Sequence, residues 1–317
     1  MRDYADKANL HARIYAMRGR LLSFKDFVSL AENQHEALHD QGKNSADPVA
    51  EEEIVFREQI AGIFPLIEAN RTYAPLFLAF LRQFEALNAK LVLAKAFRLE
   101  GLEQWYDIGS HATLKRSLLS KMITLQDIRP SFTDTYLADV FEDISSYEQM
   151  EIRVDFCAAR NLYAASKSFA RGERQDFQRF IGRRVAVTST ILSLRLRKTY
   201  RWDDEKIGSF LDRFHEAFGG KPRTQVGIVE DALYSHLEQL RSSCAQEPSV
   251  VDIEHYLERY YYNWISSMFH RDFHSIYCVA AYLWLLFYQI RNLFKIIEGR
   301  RFGFSPQRII NEIVCDR

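Results

Sequence analysis

The sequence predicts an all-α protein, and three observations carry that prediction. Proline and glycine are scarce, 7 and 13 in 317 residues, so few positions interrupt a helix. Apolar residues recur at three- and four-residue spacing along the chain, the period of one helix face. Alternating β-branched runs joined by hairpin turns, the mark of paired strands, are not found.

The helical stretches follow in order. Ala12 to Phe27 opens with a basic, apolar run containing Arg13 and Arg20, and Ser23 with Asp26 forms a capping-box-like start for the next helix. Gln41 to Pro48 is polar and turn-rich and reads as an exposed loop. Between Phe84 and Phe97, the residues Phe84, Leu87, Leu91, Ala94 and Phe97 share a face. Arg129-Pro130-Ser131, Gly219-Gly220-Lys221-Pro222 and Gln246-Glu247-Pro248-Ser249 read as further breaks. Near the C-terminus Trp284, Phe287, Ile290, Phe294 and Ile297 line another face. Gly303 tolerates the left-handed geometry that ends a helix, and Ser305 before Pro306 starts the next one.

These stretches repeat weakly. A long helix carrying Arg or Lys, a short turn and a second helix recur at Ala12–Phe27, Asn88–Gly101, Thr188–Arg197 and Asn292–Pro306. Asn88 and Asn292 occupy equivalent places. Asparagine is a poor mid-helix residue, so the pair is expected to hydrogen-bond a neighbouring helix or turn. Arg13, Lys95, Arg195, Arg197, Arg291 and Lys295 sit on otherwise apolar helices; solvated or snorkelling stems explain them as well as a partner contact does.

Composition bounds the function. Apolar residues make up 47%, with 23 Phe and 16 Tyr, enough for large aromatic cores. Lys plus Arg and Asp plus Glu are equal at 42, so net charge gives no case for nucleic acid or an anionic membrane. Cys157, Cys244, Cys278 and Cys315 are far apart and form no CxxC pair, which fits buried, reduced thiols. No apolar segment opens the chain, so no signal peptide is expected. The most apolar run, Ile276 to Tyr288, is too short to span a bilayer.

The same residues carry a family resemblance. Gln289-Ile290-Arg291-Asn292-Leu293, with Ile296, Gly299-Arg300, Gly303-Phe304-Ser305-Pro306 and Ile309, is similar to the C-terminal signature of the C/d-type subunit family of V/A-type ATPases. Ala12-Arg13 with Arg20-Leu21-Leu22-Ser23 resembles its N-terminal signature. Tyr73-Ala74-Pro75-Leu76 and Asn88, Arg98, Gly101 and Trp105-Tyr106-Asp107-Ile108-Gly109 resemble the middle one. Gln289 stands where the family usually has Glu, the repeat around Thr188 lacks the Asn, and the Gln41–Pro48 loop has no counterpart. The resemblance implies three related helical-bundle domains, drawn here at 1–110, 111–218 and 219–317, arranged as a funnel about a pseudo-threefold axis. It implies a non-catalytic rotor subunit without cofactors, on the cytoplasmic face of the membrane. Its partners would be the rotor shaft subunits, of D and F type, and the proteolipid ring. The candidate structural or partner-contact residues are Arg13, Arg20, Asn88, Lys95, Arg98, Arg195, Arg197, Arg291, Asn292 and Lys295.

Two rival readings stay in view. His35-Glu36-Ala37-Leu38-His39 matches the zinc hydrolase pattern HExxH, where paired histidines bind metal and Glu acts as base. Its context is poor, because it runs straight into a polar loop and no third-ligand motif follows. His270 and His274 share the i, i+4 spacing, and Gly219-Gly220-Lys221-Pro222 lacks the spacing of a phosphate loop. The second rival is an unrelated helical scaffold, which would stack as a continuous superhelix.

Overall fold

The structure is a computed structural model that describes residues 2–33, 47–99, 104–117, 124–142, 146–216, 235, 237–238, 242, 248–271 and 274–316. All regular structure among these residues is helical. The α-helices are α1 (Arg2–Arg18), α2 (Phe24–Glu32), α3 (Pro48–Ile60), α4 (Phe64–Ala69), α5 (Ala74–Ala96) and α6 (Leu125–Thr133). They continue with α7 (Tyr147–Ala165), α8 (Arg171–Lys198), α9 (Asp204–Glu216), α10 (Val250–Arg271), α11 (Ile276–Arg301) and α12 (Pro306–Glu312).

Their starts follow from side-chain caps. The Ser23 and Asp26 side chains and backbones satisfy each other ahead of α2. Thr124 with Asp127, and Ser249 with Asp252, do the same for α6 and α10. Asp47 accepts from Val49 N–H at 3.0 Å and Pro48 opens α3, so the end of the polar loop is a helix start. One break in the sequence reading is overturned: α6 runs through Pro130. Its reciprocal cap, and Ile128 and Phe132 buried on the same helix, offset the hydrogen bond the proline removes.

Packing groups the chain into two compact units, each built from separated pieces. Unit 1 takes residues 1–28, 170–292 and 310–317, and unit 2 takes 29–169 and 293–309. In unit 2, α5 lies against α7 and α4. Ala86, Ala89, Val92 and Leu93 of α5 meet Ile128 and Phe132 of α6 and Met150, Val154 and Cys157 of α7. Phe56, Phe80, Phe84 and Tyr106 stack tilted or edge-on beside them, each ring removing apolar area from water at about 25 cal/mol per Å². The face read from the sequence is therefore rotated. Leu87, Leu91 and Ala94 are only half-buried, while Phe77, Leu81, Phe84, Asn88 and Val92 turn inward, because α5 has packing partners on more than one side.

In unit 1, α8 lies against α9 and α10. Phe180 of α8 is a hub for Tyr261 and Trp264 of α10 and for Tyr277 and Trp284 of α11. From Ile276 to Ile290, α11 is buried on nearly every side, which explains its apolar run as a core helix. Cys157, Cys278 and Cys315 are buried, and burial pushes the Cys157 thiol up to about 11.

Candidate functional site

The repeated features converge on three long helices, α5, α8 and α11. Asn88 of α5 is 1% exposed and closes both hydrogen bonds on a single backbone residue. Its Nδ2 donates to Tyr106 O at 2.8 Å and its Oδ1 accepts from Tyr106 N–H at 2.9 Å. Asn292 of α11 makes the same clasp on Val314, at 2.9 Å and 3.0 Å. Each segment so held lies outside regular helix, and its N–H and C=O would otherwise be buried without partners. Both asparagines thus make the turn-directed hydrogen bonds their mid-helix positions asked for.

One helical turn before each asparagine stands a second acceptor. Glu85 accepts from Leu114 N–H at 2.7 Å, from Thr113 N–H and from Thr113 Oγ1 at 2.8 Å. Gln289 accepts from Leu22 N–H at 2.6 Å. Glu85 escaped the sequence reading, although superposing the repeats at Asn88 and Asn292 aligns it with Gln289. The α8 repeat lacks the clasp. Near the start of that repeat the Thr190 hydroxyl donates to Ala186 O of its own helix at 2.9 Å.

All three helices end on a residue in left-handed conformation: Arg98 at φ 57°, Arg201 at φ 58° and Gly303 at φ 65°. After α5 and α11 the backbone closes the same way. Leu99 N–H donates to Ala94 O at 3.0 Å and Phe304 N–H to Gly299 O at 2.8 Å. Gly299 has a second role, because a Cβ there would stand 2.5 Å from the Ile309 side chain, so α12 can pack this closely only against glycine.

The basic candidates divide by environment. Arg195 forks onto Glu254 with one bond at 2.6 Å, and Arg197 reaches one oxygen of Asp204 at 2.6 Å and 3.0 Å. Both pairs lie at the surface of unit 1 and contribute little to stability. Arg291 is exposed and lies 5.7 Å over the Phe287 ring. Arg20, Lys95 and Arg98 are exposed, while Arg13 and Lys295 are half-buried.

A half-buried ion pair in unit 1 lies on residues the sequence did not single out. Arg184 of α8 grips Glu258 of α10 with two bonds, at 2.8 Å and 3.2 Å, and Tyr288 donates to the same carboxylate. Burial opposes ionisation of Glu258, but the Arg184 and Arg291 charges and the donated hydrogen bonds outweigh it and hold its pKa at about 2. Unit 2 does the reverse at Glu52, which is 4% exposed. Burial, then the Glu298 carboxylate, drive it up to about 8, against the pull of Arg301, with Glu51 adding to the rise.

His35, Glu36 and His39 lie outside the described residues, as do Gly219 to Pro222. Among the described residues no group of three His, Cys, Asp or Glu side chains could hold a metal ion. No described helix is long and apolar enough to cross a membrane.

A family model described as ATP synthase (C/AC39) subunit matches residues 10–312, nearly the whole chain. The chain belongs to that family. No curated protein matches the sequence. The C/AC39 family comprises the C/d-type subunits of V-type ATP synthases, which are structural parts of a membrane ATPase. The match takes in both clasping asparagines, the Tyr106 segment that Asn88 holds and the three left-handed helix ends. In this C/AC39 chain Glu85 stands three residues before Asn88 and Gln289 three residues before Asn292.

Proposed function

We propose that this chain is the central-stalk socket of a V/A-type ATPase. It joins the rotor shaft subunits to the proteolipid ring at the cytoplasmic face of the membrane, and itself catalyses no reaction. The family match over residues 10–312 carries this reading. Physical support comes from the clasps. A torque-bearing part needs segments that do not slide along its helices, and Asn88 and Asn292 each lock a non-helical segment to a long helix by two hydrogen bonds. Dense aromatic packing around Phe84 and Phe180 resists shear in the same way. The reading includes three related helical domains, 1–110, 111–218 and 219–317, set as a funnel whose hollow receives the shaft. Arg13, Lys95, Arg195, Arg197, Arg291 and Lys295 are its candidates for the wall of that hollow.

The test is co-purification of the tagged full chain from membranes of its native host. Recovery of shaft subunits and proteolipid together is expected, and recovery of neither sinks the reading. A low-resolution envelope of the isolated chain should show a central opening rather than a continuous superhelical stack.

A further inference from the structure

Residues 293–309, the end of α11 and the start of α12, belong to unit 2, whereas α11 up to Asn292 belongs to unit 1. Side chains far away in sequence hold this segment in unit 2. The Phe294 ring lies 5.8 Å from the Tyr106 ring, which lies 5.2 Å from the Phe56 ring of α3. Arg300 donates to Leu30 O at 2.6 Å and to Asn33 O at 2.9 Å, carbonyls in and just past the last turn of α2. Rings, carbonyls and a guanidinium do not titrate near neutral pH, so these contacts hold at any pH a cell meets.

A group of acids in the same unit behaves differently. Glu51 and Glu52 of α3 are 8% and 4% exposed. Glu298 of α11 is half-buried and close enough to act on the charge of Glu52. Among the described residues, the carboxyl groups of these three make no hydrogen bond or ion pair, and one Glu51 oxygen is buried without a partner. The neighbouring cations are otherwise placed. Arg301 is exposed and lies 5.6 Å over the Phe302 ring, and the half-buried Lys295 acts on Glu298. Elsewhere on α3, Arg116 takes up Glu53, and Phe84 of α5 and Tyr106 bring uncharged rings to Phe56. A buried carboxylate without a counter-ion is costly, and such a group keeps its proton instead. Burial first, then Glu298, raise Glu52 against the pull of Arg301; burial raises Glu298 against Arg301 and Lys295.

We propose that Glu52 and Glu298 form a proton-operated latch on residues 293–309: with Glu52 protonated the segment stays seated in unit 2, and loss of that proton releases it. Phe294 and Arg300 set where the segment sits, and the acids set the pH range in which it stays there. Seated, Glu52 is buried beside a second carboxylate and favours its neutral form; released into water, it ionises as an ordinary glutamate does. The seated state therefore binds the proton more tightly, and seating weakens as pH rises. The latch stands independently of the central-stalk reading.

The test is amide hydrogen exchange of the full chain between about pH 6 and about pH 8, corrected for the hydroxide dependence of exchange itself. Protection of residues 293–301 is expected to fall about fiftyfold over that range, the linkage expected for an acid at about 8 when seated and about 4.5 when free. The unit 1 part of α11, residues 276–290, should show no such drop. Glu52→Gln should abolish the drop, and Glu298→Gln, at a half-buried position the fold tolerates more readily, should shrink it. Protection that is flat in the wild type, a drop that persists in Glu52→Gln, or an equal drop along the whole of α11 would each overturn the latch. If Glu52→Gln fails to fold, an undiminished drop in Glu298→Gln overturns it as well.

Discussion

Glu258 in unit 1 and Glu52 in unit 2 are inward-facing carboxylates on helices, and their surroundings drive them in opposite directions. Glu258 has a guanidinium with two bonds to it and a phenol donor, so it stays ionised against burial. Burial raises Glu52 most, and the Glu298 and Glu51 carboxylates add to the rise against the pull of Arg301, so it holds its proton. Burial raises the cost of charge in both places, and the identity of the nearest partner decides the outcome. Unit 1 therefore holds an ion pair and unit 2 a neutral acid, although both residues are glutamates on amphipathic helices.

Removing one side of the unit 1 pair gives the largest expected effect. Arg184→Leu strands the Glu258 carboxylate and should cost about 3–5 kcal/mol in urea unfolding, with much of it recovered in Arg184→Leu with Glu258→Leu. A single variant no worse than the double one would break the contrast between the units. For Glu258 itself the folded pKa lies below the unfolded value, so its contribution is present above about pH 4.5 and is lost as pH falls toward 2.

The asparagine clasps compare the units more closely, because there the chemistry is the same. Asn88→Ala and Asn292→Ala each orphan one N–H and one C=O and should each destabilise by about 2–4 kcal/mol. Thr190→Val, at the third repeat, removes only a bond within its own helix and should cost less than about 1 kcal/mol. Equal losses at all three sites, read from denaturant midpoints, would erase the distinction between clasped and unclasped repeats.

Glu52 supplies the pH test. Its folded pKa lies above the unfolded one, so the fold is favoured at low pH and loses stability as pH rises from about 4.5 to about 8. Glu52→Gln removes that loss. It should gain up to about 4 kcal/mol over wild type at pH 8 and almost nothing at pH 4.5. A pH-independent difference would show that Glu52 is ionised in the fold, as Glu258 is.

The smallest effects compare the left-handed helix ends. Gly303→Val, a β-branched residue at φ 65°, should cost about 1–2 kcal/mol, whereas Arg98→Gly at φ 57° should gain about 0.5–1 kcal/mol. An unchanged melting temperature for Gly303→Val would count against the role of that turn.

Much of this was legible in the residues. The helical class, the starts at Ser23 and Ser305 and the stop at Gly303 are local, and local chemistry specifies them. Asn88 and Asn292 were legible as polar residues in need of a partner, because a buried amide inside a helix must be satisfied somewhere. Glu85 was hidden because Phe84-Glu85-Ala86-Leu87 reads as ordinary amphipathic helix. Arg98 and Arg201 were hidden as left-handed residues because nothing in an arginine announces positive φ. Pro130 was misread because a helix can continue through proline when its cap and buried face supply the difference.

By itself, then, the chain's spacing of apolar, capping and small residues determined where helices form and that the family's signatures are present from end to end. Tertiary structure alone decided which faces turn inward, which segments Asn88 and Asn292 clasp, and why Glu258 ionises while Glu52 does not. The reason is distance along the chain. A helix is written in neighbours three and four residues apart, whereas burial and charge depend on partners such as Arg184 and Glu258, brought together only by the fold.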